Sequence, residues 1–170
     1  RVGAGPTTEE VMDNLHSYLN DHLAGSVGAI ELLKRLIDTY DGKPLERFFS
    51  ELRDEIEVDQ GKLHGLIDKL DAEESAVRKA GAWIAEKISR AKIQLDEGEE
   101  GEMGLFLALE ALALGISGKL SLWRALDAAS EAASPLRTLN YTELEQRARD
   151  QFDRVETKRL EVAREVFRSN

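Results

Sequence analysis

Five ionisable residues stand where the helical pattern of this chain calls for apolar ones. Between Glu51 and Leu70 a seam of Leu52, Ile56, Leu63, Leu66 and Leu70 steps by three or four residues, the spacing of one helical face, and Asp59 interrupts it at mid-length. His22 lies on a similar seam with Leu15, Leu19, Ser26, Ala29, Leu33, Leu36 and Tyr40. Glu110 is alone in the apolar run Met103 to Gly118, and Lys119 falls in line with Leu105, Leu109, Leu112, Ile116, Trp123 and Leu126. Arg159 shares a face with Leu144, Ala148, Phe152, Val155, Ala163 and Val166.

Two chemistries suit such a set. Inward carboxylates and imidazoles on facing helices can hold metal ions, and the candidates here are His22, Asp59 and Glu110. Alternatively the residues pair with one another, because an isolated ionised carboxylate costs several kcal/mol or more to bury. Two acids and two bases are available for that. Counting from the helix midpoints brings Asp59 level with Lys119 and His22, and Glu110 level with Arg159, whose guanidinium fork matches a carboxylate. The spacing leaves open a second position for Asp59, at an edge where it reaches water. A lone histidine such as His22 has an ordinary reading as a hydrogen-bonded core or boundary residue. His16 and His64 read as surface or boundary residues.

The elements that must carry these residues are helical throughout. Thr7 stands three residues before Glu10, a reciprocal capping pattern that opens a first helix, and Asp41-Gly42 closes it. Pro44 suits the first position of a second helix, in which Gly61 and Gly65 would let another backbone approach. The short link between the two makes them antiparallel. A weaker periodic segment from Asp71 to Gly101, with Val77, Ala80, Ile84, Ile88, Ala91 and Leu95 on one side, reads as a helix within a long crossover. Met103 to Ala133 is apolar nearly all round at first and so central, and Pro135 stops it. The last helix begins near Tyr141 or Thr142, with Thr142 and Glu145 as its capping pair.

Composition narrows the function classes. The 170 residues carry a net charge of −10 and include no cysteine, which removes disulfides, thiolate metal sites and a cysteine nucleophile. An acidic surface repels phosphate backbones and anionic lipid, so no nucleic acid and no membrane partner is expected. The run Met103 to Gly118 falls short of the ~20 residues needed to span a bilayer and is read as a buried helix. No nucleophilic triad, phosphate-binding glycine loop or EF-hand loop occurs, so no catalytic residue and no cofactor is assigned. The chain reads as cytoplasmic. Residues 7–168 form one domain, and residues 1–6 are left outside it as a disordered start.

The order of hairpin, long crossover, hairpin resembles the ferritin-like superfamily over Thr7 to Phe167. The stretches Glu55 to Asp59, Ala80 to Lys92, Leu109 to Leu126 and Arg154 to Phe167 are similar to bacterial ferritin-like bundle proteins to which no particular activity attaches. The resemblance implies an all-α, antiparallel four-helix bundle with a long helical crossover between its second and third helices. In metal-bearing members of the superfamily it also implies two Glu residues and two Glu-x-x-His pairs. This chain departs from that set. It offers His22 and Ser26 in the first helix and Ile56-x-x-Asp59 in the second, no histidine in the last, and only Glu110 as an inward Glu. The expected function is therefore a non-catalytic structural or interaction bundle with internal ion pairs in place of metal ligands, His22, Asp59, Glu110, Lys119 and Arg159 forming the buried polar network. The alternatives are an iron- or manganese-binding oxidase or storage protein with a depleted site, and a small-molecule binder using a gap near Gly25, Gly28, Gly61 and Gly115. A homodimer through one helical face is the assembly this composition allows.

Overall fold

The computed structural model describes residues 5–73 and 101–168. Four long helices make up nearly all of them: α1 (Thr8–Thr39), α2 (Pro44–Glu73), α3 (Glu102–Ala128) and α4 (Tyr141–Val166), with a short 3-10 turn at Ser134–Thr138 and no strand among the described residues. The periodic segment between Asp71 and Gly101, expected as a crossover helix, lies almost wholly outside the described residues.

Local chemistry sets the helix ends. Thr7 Oγ1 accepts from the Glu10 backbone N–H at 3.2 Å while the Glu10 carboxylate accepts from the Thr7 N–H at 2.7 Å, so two N–H groups that lack helical partners are satisfied reciprocally. Gly42, at φ 70°, makes the left-handed turn after α1 that a side chain would resist, and Pro44 opens α2 two residues later. The cap of α4 is Asn140 rather than Thr142: its side chain accepts from the Glu143 N–H at 3.2 Å. Asn is at least as good a cap as Thr, and it stands immediately before the first helical residue. The Tyr141 hydroxyl donates to the Leu136 carbonyl at 2.6 Å and ties the start of α4 to the 3-10 turn.

Packing runs α1 along α2 and α3 along α4, with α1 also meeting α3. Two apolar clusters share the interior. One joins Leu19 and Leu23 of α1, Leu63, Leu66 and Leu70 of α2, Leu122, Trp123 and Leu126 of α3, and Tyr141, Leu144 and Ala148 of α4. The other joins Leu33, Phe49, Leu52, Ile56, Leu109, Leu112, Ile116 and Val155. The first halves of α1 and α4 thus meet the second halves of α2 and α3, so α1 and α4 run one way and α2 and α3 the other. Asp59, Lys119 and Gln151 lie in sequence between the residues of the two clusters on their own helices.

Three expectations from the sequence need correction. The inner face of α4 follows Leu144, Ala148, Gln151 and Val155, with Gln151 0% exposed and Phe152 only half-buried beside it. The three- and four-residue steps select Gln151, and apolarity alone favoured its neighbour. Second, no close backbone contact explains Gly61 or Gly65, since a Cβ built on either meets nothing within 4 Å among the described residues. Third, α3 extends to 27 residues and is long and apolar enough, by length and composition, to cross a membrane. Its Leu109, Leu112, Ile116, Leu122, Trp123 and Leu126 are nonetheless buried against the other helices.

Candidate functional site: a buried ion network beside a cavity

Asp59 is 2% exposed at the middle of α2, and three side chains from two other helices converge on it. Lys119 Nζ of α3 donates to Asp59 Oδ2 at 2.6 Å, and Gln151 Nε2 of α4 donates to the same oxygen at 3.2 Å. Arg147 Nη2, one turn before Gln151 on α4, stands 3.0 Å from Oδ1. That contact is an ion pair without hydrogen-bond alignment, so Oδ1 has no aligned donor. Gln151 closes the ring by accepting from Lys119 through Oε1. The network then runs outward: Gln151 Nε2 reaches Glu55 Oε2 at 3.1 Å, and Arg154 Nη2 donates to that same Glu55 oxygen.

The order of exposure follows the direction of the chain of contacts. Asp59 and Gln151 are buried, the Lys119 side chain is 14% exposed and that of Arg147 32%, while Arg154 and Glu55 reach 40% and 37%. Burial is the stronger influence on Lys119 and holds its ammonium below the usual lysine range, although Asp59 acts in the opposite direction. Arg147 pushes the same way as burial, because its like charge stands beside the same carboxylate and repels the ammonium.

On its other side the network borders a cavity of about 290 Å³ between α1, α2 and α3. Asp59 and Lys119 belong to its wall together with His22, Gln60, Gly115 and Trp123. Three glycines of helix interiors, Gly25, Gly115 and Gly118, also line it, and the first and second of these are exposed and form its mouth. A Cβ built on any of the three would meet nothing within 4 Å among the described residues. Ser26 is held by accepting from Gln60 Nε2 at 2.8 Å and donating to the Leu23 carbonyl at 2.6 Å. Trp123 is 1% exposed, and its indole N–H finds no acceptor among the described residues.

The remaining sequence candidates fall elsewhere. Arg159 Nη1 lies 3.2 Å from Glu110 Oε2, but the Glu110 side chain is 46% exposed, so Glu110 is a rim residue and not part of a buried network. The physical reason is helical phase: the inward residue is Leu109, at 0% exposure, and Glu110 is rotated about 100° from it. In an all-round apolar helix an isolated Glu carries no signal of its own facing. Arg159 is held mainly by Glu156, through contacts of 2.8 and 2.7 Å, and stacks over Phe106 at 5.5 Å. His22 lines the cavity and meets Tyr18 edge-on at 4.8 Å, outside the Asp59 network. Burial keeps its imidazole below the usual pKa, with Asp21 opposing. His16 Nδ1 lies 3.3 Å from Asp71, and His64 is exposed.

His22, Asp59 and Glu110 therefore do not come together as a ligand set, and no group of three His, Asp or Glu side chains suited to a metal occurs among the described residues. Asp59, the buried carboxylate, already faces two cations. The sequence reading overlooked Gln151, Arg147, Glu55 and Arg154. The spacing Arg147, Gln151, Arg154 on α4, opposite Glu55 and Asp59 on α2, was the available signal, since each set recurs at three or four residues. No family model, no curated protein and no solved structure matches this chain.

Proposed function

We propose that this chain is a ferritin-like helical bundle that has given up metal chemistry and binds a small, largely apolar molecule in the cavity between α1, α2 and α3. Residues 74–101 join the ends of two parallel helices, α2 and α3, and so correspond to the long crossover of that architecture. The ion network takes the place where such bundles keep metal ligands, and it holds α2, α3 and α4 in register.

The observation that carries the binding reading is the set Gly25, Gly115 and Gly118. Each sits inside a long helix, where glycine costs about 0.5–1 kcal/mol relative to alanine. None has a positive φ, and none is pressed by another described residue. What they have in common is the cavity they line, and alanine or leucine there would reduce it. At about 290 Å³ the space lies at the lower end of small-molecule sites, and its wall is mainly apolar with a few fixed polar groups. The metal reading has less support: an added divalent cation would have to displace Lys119 and Arg147 from Asp59.

The test uses Trp123 as reporter, with Trp83→Phe to make it the sole tryptophan. Titration with octanol should change Trp123 emission saturably, and Gly115→Leu should abolish the change while Gly61→Ala, away from the cavity, leaves it intact. Equal responses in the Gly115→Leu variant and the parent would overturn the reading.

A further inference from the structure

The cavity and the ion network share Asp59 and Lys119, and the network behind that wall carries one cation more than it has carboxylates. Five ionised groups form the network: Lys119, Arg147 and Arg154 against Asp59 and Glu55. Three cations meet two carboxylates, in a protein whose overall charge is −10. Within the network the excess is felt at the inner end. The single carboxylate touching Lys119 is divided between it and Arg147, whereas Glu55 lies outward and is occupied by Arg154. Of the three N–H groups of the Lys119 ammonium, two are taken up, by Asp59 Oδ2 and Gln151 Oε1. One turn further along α3 on the same face, the Trp123 indole N–H is buried without an acceptor among the described residues. Both residues line the cavity. The cavity wall also carries Asp59, held in the network, and Asp21, which is exposed beside His22.

Resting on the binding reading above, we infer that the occupant is an amphiphilic organic acid, its carboxylate set against Lys119 and Trp123 and its apolar body lying along Ile56, Leu63, Leu112 and Ile116. An anion supplies what the network lacks. It adds a charge of the missing sign, accepts the remaining Lys119 N–H, and offers a second oxygen to an indole N–H positioned one helical turn away. Residues four apart on a helix lie close enough for one small group to meet both. A neutral hydroxyl can accept from these donors but leaves the charge as it was. A cationic head would meet Lys119 and Arg147 with the same sign. The low position of the Lys119 titration agrees with this, since it marks an ammonium whose burial is incompletely offset by its neighbours.

The experiment compares octanoate, octanol and octylamine, which share one tail, by Trp123 emission in the Trp83→Phe protein at pH 7 and low salt. Octanoate should bind at least tenfold more tightly than octanol, and octylamine should be the weakest. In Lys119→Met the preference for octanoate should vanish while octanol binding persists. Because that variant also breaks the network, Arg147→Gln provides a second route: it brings the cluster to two cations and two carboxylates with the Lys119, Asp59 and Gln151 hydrogen bonds in place, and the acid preference should fall towards unity. Octanol binding as tightly as octanoate would overturn the acid assignment and leave the cavity reading standing. Octylamine binding most tightly would also overturn it, with Asp59 and Asp21 as the recognising groups. If none of the three perturbs Trp123, the cavity reading fails and takes the acid assignment with it.

Discussion

Removing either half of the Asp59–Lys119 pair should destabilise the protein unequally, and the structure gives the order. In Asp59→Leu the Lys119 ammonium stays in place, 14% exposed, with no carboxylate in contact and only Gln151 Oε1 as acceptor. Breaking a buried pair this way costs about 3–5 kcal/mol. In Lys119→Met the stranded group is Asp59, but it keeps Arg147 at 3.0 Å and the Gln151 amide at 3.2 Å. Its loss should therefore be smaller, about 2–3 kcal/mol. The double variant leaves no buried charge unpaired, and Arg147, at 32% exposure, can turn to water. What remains is the Gln151 carboxamide, which loses two of its partners and keeps Glu55, a cost of about 1–3 kcal/mol. The cycle thus predicts a coupling of roughly 2–7 kcal/mol, the double variant being more stable than the sum of the singles. Urea unfolding at pH 7 measures all four proteins, and the Asp59→Leu midpoint temperature should drop by on the order of 10 °C. Single variants that unfold within 1 kcal/mol of the parent, or an additive cycle, would show that water already solvates these charges and would refute the reasoning.

Four further outcomes follow from the same contacts. Glu110→Ala should cost about 1 kcal/mol or less, because the pair with Arg159 is at the rim and Glu156 still holds the guanidinium; a loss like that of Asp59→Leu in urea unfolding would contradict the rim placement. Gly25→Ala and Gly61→Ala should each stabilise by about 0.5–1 kcal/mol, since the added methyl enters open space, and thermal unfolding checks the sign. His22 sits below its usual 6.5 in the folded chain because burial opposes its charge, so the unfolded chain takes up the proton first. The corresponding stability is present above pH 6.5 and is lost as the pH falls towards the folded value, and His22→Gln should flatten that limb of the stability curve. Tyr141 is pushed from 10.0 up to about 12, chiefly by burial, so its contribution is intact below pH 10 and is lost as the pH rises towards 12. The amount is at most about 2.7 kcal/mol, the worth of two pH units before solvent screening reduces it, and Tyr141→Phe should remove the pH dependence across that range.

The helical class and the inward course of α2 were legible because α2 pairs a clean three- and four-residue rhythm with polar residues elsewhere. Phe49, Leu52, Ile56, Asp59, Leu63, Leu66 and Leu70 are all buried. The same rhythm put Lys119 on the face that meets Asp59. It failed at Glu110, where apolar residues on every side of α3 erase the phase information, and at Gln151, where a polar residue on a core face was passed over for Phe152. Arg147, Glu55 and Arg154 were missed for a different reason. Each is partly exposed, and a partly exposed charge on a helix resembles any solvated one until the facing helix is known. The cavity was only half readable: glycines marked Gly25 and Gly115, but Gly28 and Gly61 bore the same mark and lie outside its wall.

That last contrast bears on what the centre of the molecule is for. Ion pairs at the waist of a helical core add little net stability, because the cost of drying two charges roughly cancels their attraction, and well-packed apolar residues would do as well or better. Glycines in the wall beside them lower helix stability further. A chain selected for stability alone would close the gap with alanine or leucine at Gly115 and would replace Asp59, Lys119 and their polar partners together by packed apolar residues. Both departures fall on the same wall of the same cavity, next to an indole N–H left without an acceptor among the described residues. A bound acid accounts for the three together: it fills the volume the glycines leave, neutralises the surplus charge, and accepts from both donors.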